Sequence, residues 1–153
     1  MRPIRILVVL LLLATVGGVK AAEDLPRGVT VTPLSKVKWV KSADSTLEYA
    51  NLLGDPDKLG PYLRLVKWPP NTKNLAHKHP DDRYGMVISG VHYVGYGEKF
   101  DEKKMHANSA GTSFTEPANT AHFGMTKREP AILYFYGTGP SGSTRLEQES
   151  GRK

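Results

Sequence analysis

The sequence contains no cysteine, and this absence excludes two features. No disulfide can hold the fold together, so stability must come from a packed core. A lipid cannot be attached to an amino-terminal cysteine either. Also missing are an ordered Ser/His/Asp set, a glycine-rich phosphate loop and paired carboxylates at a convincing spacing. These absences argue against nucleophilic hydrolysis and against nucleotide binding.

Long hydrophobic runs are scarce as well. The apolar run over residues 6–16 is well short of the ~20 residues that a membrane span needs. It follows Arg2 and Arg5 and is succeeded by small or apolar residues at positions 19 and 21, which is the layout of a secretory signal. We therefore expect residues 1–21 to be a signal peptide. The protein would be exported to the periplasm or secreted, without a stable membrane anchor.

Basic residues exceed acidic ones only modestly. Removing the leader residues Arg2, Arg5 and Lys20 leaves 18 of the 21 lysines and arginines against 15 acids, a net charge of +3. The remaining positive charges are scattered along the chain. Nucleic-acid binding requires such charges to cluster on one element. We therefore expect no nucleic-acid partner.

From residue 37 onward, short β-prone runs are separated by glycine and proline. The runs are residues 37–40, 62–68, 84–88, 91–96, 112–115 and 132–136. Only residues 43–53 and 98–106 have a composition that favours some helix. Short strands at close, regular intervals favour an all-β fold, either an antiparallel sandwich or a barrel.

The segments at either end have a different character. Residues 22–36 carry Pro26, Gly28 and Pro33, and we expect a weakly buried amino-terminal arm that is available to pair with another subunit in a homodimer. Residues 139–153 are polar and predict a mobile tail. The folded domain would then span residues 37–138.

Three histidines stand out by their spacing. His77 and His79 are separated by one residue, so on an extended strand both rings point to the same face. His122 lies 43 residues after His79, behind a turn-like segment. Two imidazoles on one strand face form half of a site for iron, manganese, zinc, copper or nickel. Taken alone, the pair has a second interpretation as two polar residues on an exposed strand.

The surroundings of these histidines match two short cupin signatures at the correct spacings. The first block matches at His77, His79 and Gly90, and the second at Gly111, Pro117 and His122. Over residues 62–139 the chain resembles the small exported single-domain cupins of the cupin-2 type. The resemblance implies a small antiparallel jelly-roll β-barrel over residues 37–138. It also implies one divalent metal ion, held by His77, His79 and His122.

Four positions depart from the cupin pattern. Arg83 stands where the metal-binding glutamate is expected, and Thr126 replaces an asparagine. Asn71 and Asn119 each stand where a glycine is expected. Asparagine tolerates the left-handed backbone, so its substitution is mild. A guanidinium has no lone pair to give a metal and repels a nearby dication. Arg83 is therefore the departure that bears on function.

Arg83 has three interpretations. In the first, the metal has three histidine ligands, and Arg83 turns aside to bind an anionic substrate. In the second, Asp81, Asp82 or Glu116 supplies the missing carboxylate. In the third, the metal has been lost and Arg83 binds an anion in a plain pocket. All three keep a pocket for a small-molecule ligand in the same place.

The expected ligand-binding residues are Arg83, Tyr84, Phe123 and His92. Tyr84 and Phe123 adjoin candidate site residues, and His92 lies mid-strand, where it either lines the pocket or is partly buried with one hydrogen bond. Similar three-histidine cupins include dioxygenases, so the resemblance implies metal-dependent chemistry on a small oxygenated or acidic molecule. The alternative is a non-catalytic cupin that binds a small molecule or anion and has lost the metal. Whether the protein is an enzyme stays open at this level.

Overall fold

The computed structural model describes residues 26–148. The predicted signal peptide lies outside this range, as do residues 22–25 of the arm and 149–153 of the tail. The chain divides into two units between Pro33 and Leu34, and all strands of the described part belong to the second unit. Within residues 26–148, no helix combines the length and the apolar character of a membrane span.

The described part of the arm has little regular structure. In the first unit, a turn is closed by the Val29 N–H, which donates to the Pro26 carbonyl at 3.0 Å. The second unit begins with a short 3₁₀ helix, Leu34–Lys36. Pairing of the arm with another subunit stays a prediction.

The second unit is built from short strands that are joined by turns. The strands are β1 (Val40–Lys41), β2 (Glu48–Leu53), β3 (Gly60–Trp68), β4 (Lys73–Lys78), β5 (Arg83–Ser89), β6 (Val91–Tyr96), β7 (His106–Ser109), β8 (Ser113–Glu116), β9 (His122–Met125), β10 (Ala131–Gly139) and β11 (Thr144–Arg145). A 3₁₀ helix, Glu102–Lys104, lies between β6 and β7.

The strands pair antiparallel and form two sheets. One sheet has the order β1-β2-β3-β10-β5-β8, and the other has the order β11-β4-β9-β6-β7. Buried and more exposed residues alternate along β10, as expected for a strand with one face in the core. The main core cluster contains Leu47, Val66, Trp68, Val87, Ala131, Leu133 and Phe135. The predicted all-β fold, a small antiparallel jelly-roll barrel, is confirmed.

The two segments with predicted helical content turn out differently. Residues 43–53 are not helical: 43–47 form bends and loop, and Glu48–Leu53 form β2 and pair with β3. Leucine, glutamate and alanine favour a helix here, but such propensity is weak beside pairing with a neighbouring strand. Within residues 98–106, only Glu102–Lys104 are helical, as a single 3₁₀ turn.

The prediction of a mobile tail from residue 139 is wrong for residues 139–148. Thr144–Arg145 pair with β4 as an added edge strand, and the Leu146 N–H donates to the Ala76 carbonyl at 2.8 Å. The polar composition fits this position because the side chains of an edge strand stay in contact with water. The folded unit therefore extends beyond the predicted boundary at residue 138.

Gly90, a residue of the first cupin signature, allows a test of how this fold is held. Its φ is +75°, and a Cβ there would collide with the Pro130 carbonyl oxygen. Gly111 has a similar φ of +88°, but no atom lies within 4 Å of its Cβ position. We expect Gly111→Ala to cost about 1–2 kcal/mol for the left-handed backbone alone. Gly90→Ala should cost more, because the overlap adds to the same strain. Urea denaturation measures both losses, and equal losses would contradict the steric explanation.

Candidate metal centre

The pairing of β4 with β9 brings the three histidines together. His77 in β4 lies directly opposite His122 in β9, and His79 follows His77 by two residues on the same face. The ring centroids are 4.4 Å apart for His77 and His122, 5.0 Å for His77 and His79, and 5.3 Å for His79 and His122. All three residues are buried, and one ring nitrogen of each lies within 4.8 Å of those of the other two.

Hydrogen bonds to the backbone fix the orientation of each ring. Nδ1 lies close to the carbonyl oxygen of Leu75 for His77 (2.7 Å), of Gly142 for His79 (2.5 Å) and of Thr120 for His122 (2.9 Å). Because a carbonyl only accepts, Nδ1 must carry the hydrogen, and Nε2 keeps its lone pair. Nε2 of His79 and of His122 are buried without a hydrogen-bond partner. Metal-binding histidines are held in this way, with one nitrogen anchored and the other free for the ion.

Burial keeps these imidazoles neutral. It lowers the pKa of His77 to about 4, with a further contribution from His122. It also lowers the pKa of His79 to about 3, and the Arg83 guanidinium adds to that shift. Neutral imidazole is the form that binds a metal. The donor set therefore fits a divalent transition-metal ion at neutral pH.

Arg83 enters the site together with a carboxylate. Arg83 in β5 is the register partner of Glu116 in β8, and Arg83 Nε donates to Glu116 Oε2 at 2.9 Å, with a second, shorter bond from Nη2. The same carboxylate oxygen lies 3.5 Å from His122 Nε2. Burial alone would raise the pKa of Glu116, but Arg83 and His122 outweigh it, so the pKa lies below its usual value. The opposite charges of the pair cancel beside the histidines.

This arrangement bears on the second interpretation of Arg83. Asp81 accepts hydrogen bonds from the hydroxyls of Tyr62 (2.9 Å) and Ser141 (2.7 Å). Asp82 accepts one from the Ala118 N–H at 2.7 Å. Both aspartates are thus engaged with the surrounding turns, and they are not the carboxylate of the site. Glu116 is the candidate that the structure brings to the histidines.

The three histidines open onto a cavity of about 110 Å³. Arg83, Phe123 and His92 line it, and ligand binding by these residues stays a prediction. Tyr84 does not line it, and this part of the prediction is wrong. Strand alternation turns the Tyr84 side chain to the outer face, where it is 54% exposed.

His92 also differs from its expected environment. It is only 2% exposed, and neither ring nitrogen has a hydrogen-bond partner among the described residues. Its ring packs against the aromatic rings of Trp68 and Phe114, with centroid distances of 4.7 and 6.2 Å. Burial lowers its pKa to about 4. The expected single hydrogen bond is therefore absent.

Several residues that line the cavity were missed at the sequence level. They are Asp44, Trp68, Asn74, Ser143 and Arg145, among others. Trp68 carries the apolar signature of a core residue, so its sequence context gave no sign of a polar role. Arg145 lies in the segment that was predicted to be a tail. Its Nη2 donates to the Asp44 carbonyl at 3.2 Å and lies 3.5 Å from the Asp44 carboxylate.

We expect the metal-free protein to lose stability as the pH falls from about 6.5 towards 4. In this window His77, His79 and His92 stay neutral in the folded protein, while the same residues become protonated in the unfolded chain. The unfolded state then binds more protons, which lowers the free energy of unfolding by roughly 1–2 kcal/mol per histidine near pH 5. Urea denaturation in the presence of a chelator measures this loss. His92→Gln should reduce it, whereas His106→Gln, at an exposed position, should not. A free energy of unfolding that is constant over the window would contradict the expectation.

Known proteins that resemble this chain are found among solved structures. No protein-family model and no curated protein matches it. The polyketide cyclase RemF from Streptomyces resistomycificus is 13% identical, with 80% of this chain and 88% of that chain covered and a TM-score of 0.67. A cupin-2 domain from Rhodospirillum rubrum is 14% identical, with 83% and 85% covered and a TM-score of 0.60. The DMSP lyase DddQ from Ruegeria pomeroyi is 13% identical, with 72% and 61% covered and a TM-score of 0.58. These likenesses show that the chain has the cupin fold.

Proposed function

We propose that this cupin is an exported, metal-dependent enzyme that acts on a small oxygenated or acidic molecule. One observation carries the proposal: each of the three histidines is anchored through Nδ1, which leaves Nε2 as the ligand atom. Buried imidazole nitrogens without partners are costly unless something binds them. Export is supported by the leader-like layout of residues 1–21 alone.

The donor set suits iron, manganese, zinc, copper or nickel. When bound, such an ion supplies a Lewis acid or an oxygen-binding centre. Dioxygenase chemistry is the leading subclass of the proposal, because similar three-histidine cupins include dioxygenases. The protein's own contribution is to hold the three rings, to orient the substrate and to limit access of water through walls such as Phe123.

Charge balance supports an anionic substrate. The three histidines are neutral ligands, and the Arg83–Glu116 pair adds no net charge, so the protein leaves the two positive charges of a divalent ion uncompensated. Two of the five N–H groups of the Arg83 guanidinium donate to Glu116. The others can donate hydrogen bonds to a carboxylate or a similar anion. The cavity of about 110 Å³ restricts this ligand to a small molecule.

The second candidate is a binding protein that holds an anion without a metal. The observation that favours it is the Arg83 charge, which lies close enough to lower the pKa of His77 and His79 and therefore also opposes a dication. Its pairing with Glu116 offsets this effect, and for that reason we place the metal-dependent enzyme first. Metal analysis of the protein purified from the periplasm or the culture medium distinguishes the two candidates.

We expect His79→Ala to remove the metal without unfolding the barrel. The wild-type protein should carry close to one metal ion per chain, measured by elemental analysis, and the variant almost none. Far-ultraviolet circular dichroism should stay unchanged, because the main core cluster is apolar. His106→Ala, at an exposed position, is the matched control and should keep its metal. A wild-type protein without metal favours the binding candidate, and loss of the fold in His79→Ala would give the histidine a structural role.

We expect Arg83→Glu to strengthen metal binding and to weaken anion binding. The change places a second carboxylate beside Glu116 and removes the guanidinium that would hold an anion, so the two affinities should move in opposite directions. Competition with a chelator measures the affinity for Co²⁺, and calorimetry measures the affinity of the Co²⁺-loaded protein for acetate. Arg128→Glu makes the same charge change at an exposed position and should alter neither affinity. If both affinities are unchanged in Arg83→Glu, then Arg83 has no part in the site.

A further inference from the structure

Away from the metal centre, the cavity wall carries three nitrogen atoms without partners. They are Nε1 of Trp68 and both ring nitrogens of His92. The two side chains line the cavity and are 5% and 2% exposed. Their ring centroids are 4.7 Å apart, so the unpartnered nitrogens belong to one local cluster. The function proposed above uses neither side chain.

Such a cluster is costly in a folded protein. More than about 90% of buried polar groups have a hydrogen-bond partner, and each one that is left unpaired destabilises the folded protein. An apolar side chain of similar shape at either position would avoid this cost. Trp68 and His92 therefore require a hydrogen-bond partner that is not part of the described protein. Because both side chains lie on the cavity wall, this partner can be a bound ligand, or the water that the ligand displaces.

We propose that Trp68 and His92 form a hydrogen-bonding subsite for an uncharged oxygen of the ligand, a hydroxyl or a carbonyl. The indole N–H only donates, and a neutral imidazole has one donor and one acceptor nitrogen. A hydroxyl can accept from Trp68 and donate to or accept from His92. A charged group is disfavoured here because the neighbours are aromatic and apolar, such as Phe114, and they would leave it without compensation.

Contacts between aromatic rings connect the subsite with the charged end of the cavity. His92 packs on Phe114 (6.2 Å), Phe114 packs on Phe135 (5.8 Å), and the Arg83 guanidinium lies 4.6 Å from the centre of the Phe135 ring. A ligand that contacts both ends needs an anionic group and an uncharged oxygen separated by carbon atoms. The substrate class that follows, in combination with the proposed function, is a small hydroxy or oxo acid.

The absence of a side chain at Gly124 leaves space for the two subsite residues. A Cβ at this position would lie 2.7 Å from His92 Nε2 and 3.0 Å from Trp68 Cη2. Gly124 follows His122 by two residues in β9, so it lies on the strand face that carries the metal ligand. Any side chain there would press on both subsite residues. One face of β9 thus carries both the proposed metal ligand His122 and Gly124, which leaves space beside Trp68 and His92.

The test compares acids that differ by one hydroxyl. The probes are acetate with glycolate, propionate with 3-hydroxypropionate, and butyrate with 4-hydroxybutyrate, bound to the metal-free protein. The chain has two tryptophans, so nitrogen-15 NMR resolves the indole N–H of Trp68 from that of Trp39, which is the internal control. At least one hydroxy acid should shift the Trp68 signal more than its matched acid does, without moving Trp39. Its affinity should be about fivefold higher, as expected for one net hydrogen bond.

Variants separate this inference from the proposed function. His92→Phe and Trp68→Phe should each remove the affinity difference between the paired acids and leave the metal content unchanged. If no hydroxy acid in the series shifts the Trp68 signal beyond its matched acid, the subsite is wrong, even when the metal is bound as proposed. If the difference is present but the protein holds no metal, the proposed enzyme is wrong and the subsite stands.

Discussion

The register between β4 and β9 determines the geometry of the site, because it sets His77 opposite His122. His79 then joins them through the two-residue period of an extended chain. For His77 and His122 the anchoring carbonyl belongs to the residue two positions earlier, so these rings are oriented locally. The anchor of His79 is Gly142, which follows β10. The orientation of the His79 ring therefore depends on the carboxy-terminal segment being folded onto the barrel.

This dependence shows where prediction from the sequence succeeded and where it failed. Short strands between glycines and prolines, and two signatures at fixed spacings, were sufficient for the barrel and for the grouping of the histidines. The segment after residue 139 was not predictable from its composition, because its order comes from pairing with β4 and not from apolar residues of its own. Tyr84 is a different kind of failure. Strand alternation from Arg83 indicates the outer face, whereas adjacency in sequence to Arg83 suggests the pocket wall.

The Arg83–Glu116 pair gives a physical account of the largest departure from the cupin pattern. The carboxylate that is expected at position 83 is supplied by Glu116 on the neighbouring strand. Glu116 in β8 lies directly opposite Arg83 in β5. A buried guanidinium alone would cost several kcal/mol, whereas a hydrogen-bonded pair of opposite charges is tolerated. The consequence is a ligand set without net charge. Binding of a dication and binding of an anion should then strengthen each other, and by linkage the two effects are equal in size.

Polarity also varies along the cavity in a way that follows from the fold. The charged pair comes from β5 and β8, which lie next to each other at one end of the first sheet. His77 and His122 come from β4 and β9 of the other sheet, and His79 directly follows β4. The uncharged nitrogens of Trp68 and His92 lie among core aromatic rings. An unpaired nitrogen in a core is worse for stability than an apolar side chain of the same shape. Trp68 and His92 are neighbours in space and keep unpaired nitrogens where apolar side chains could pack instead, beside a glycine that leaves them space. Their placement is explained if the cavity holds a ligand whose polar groups form hydrogen bonds with these nitrogens.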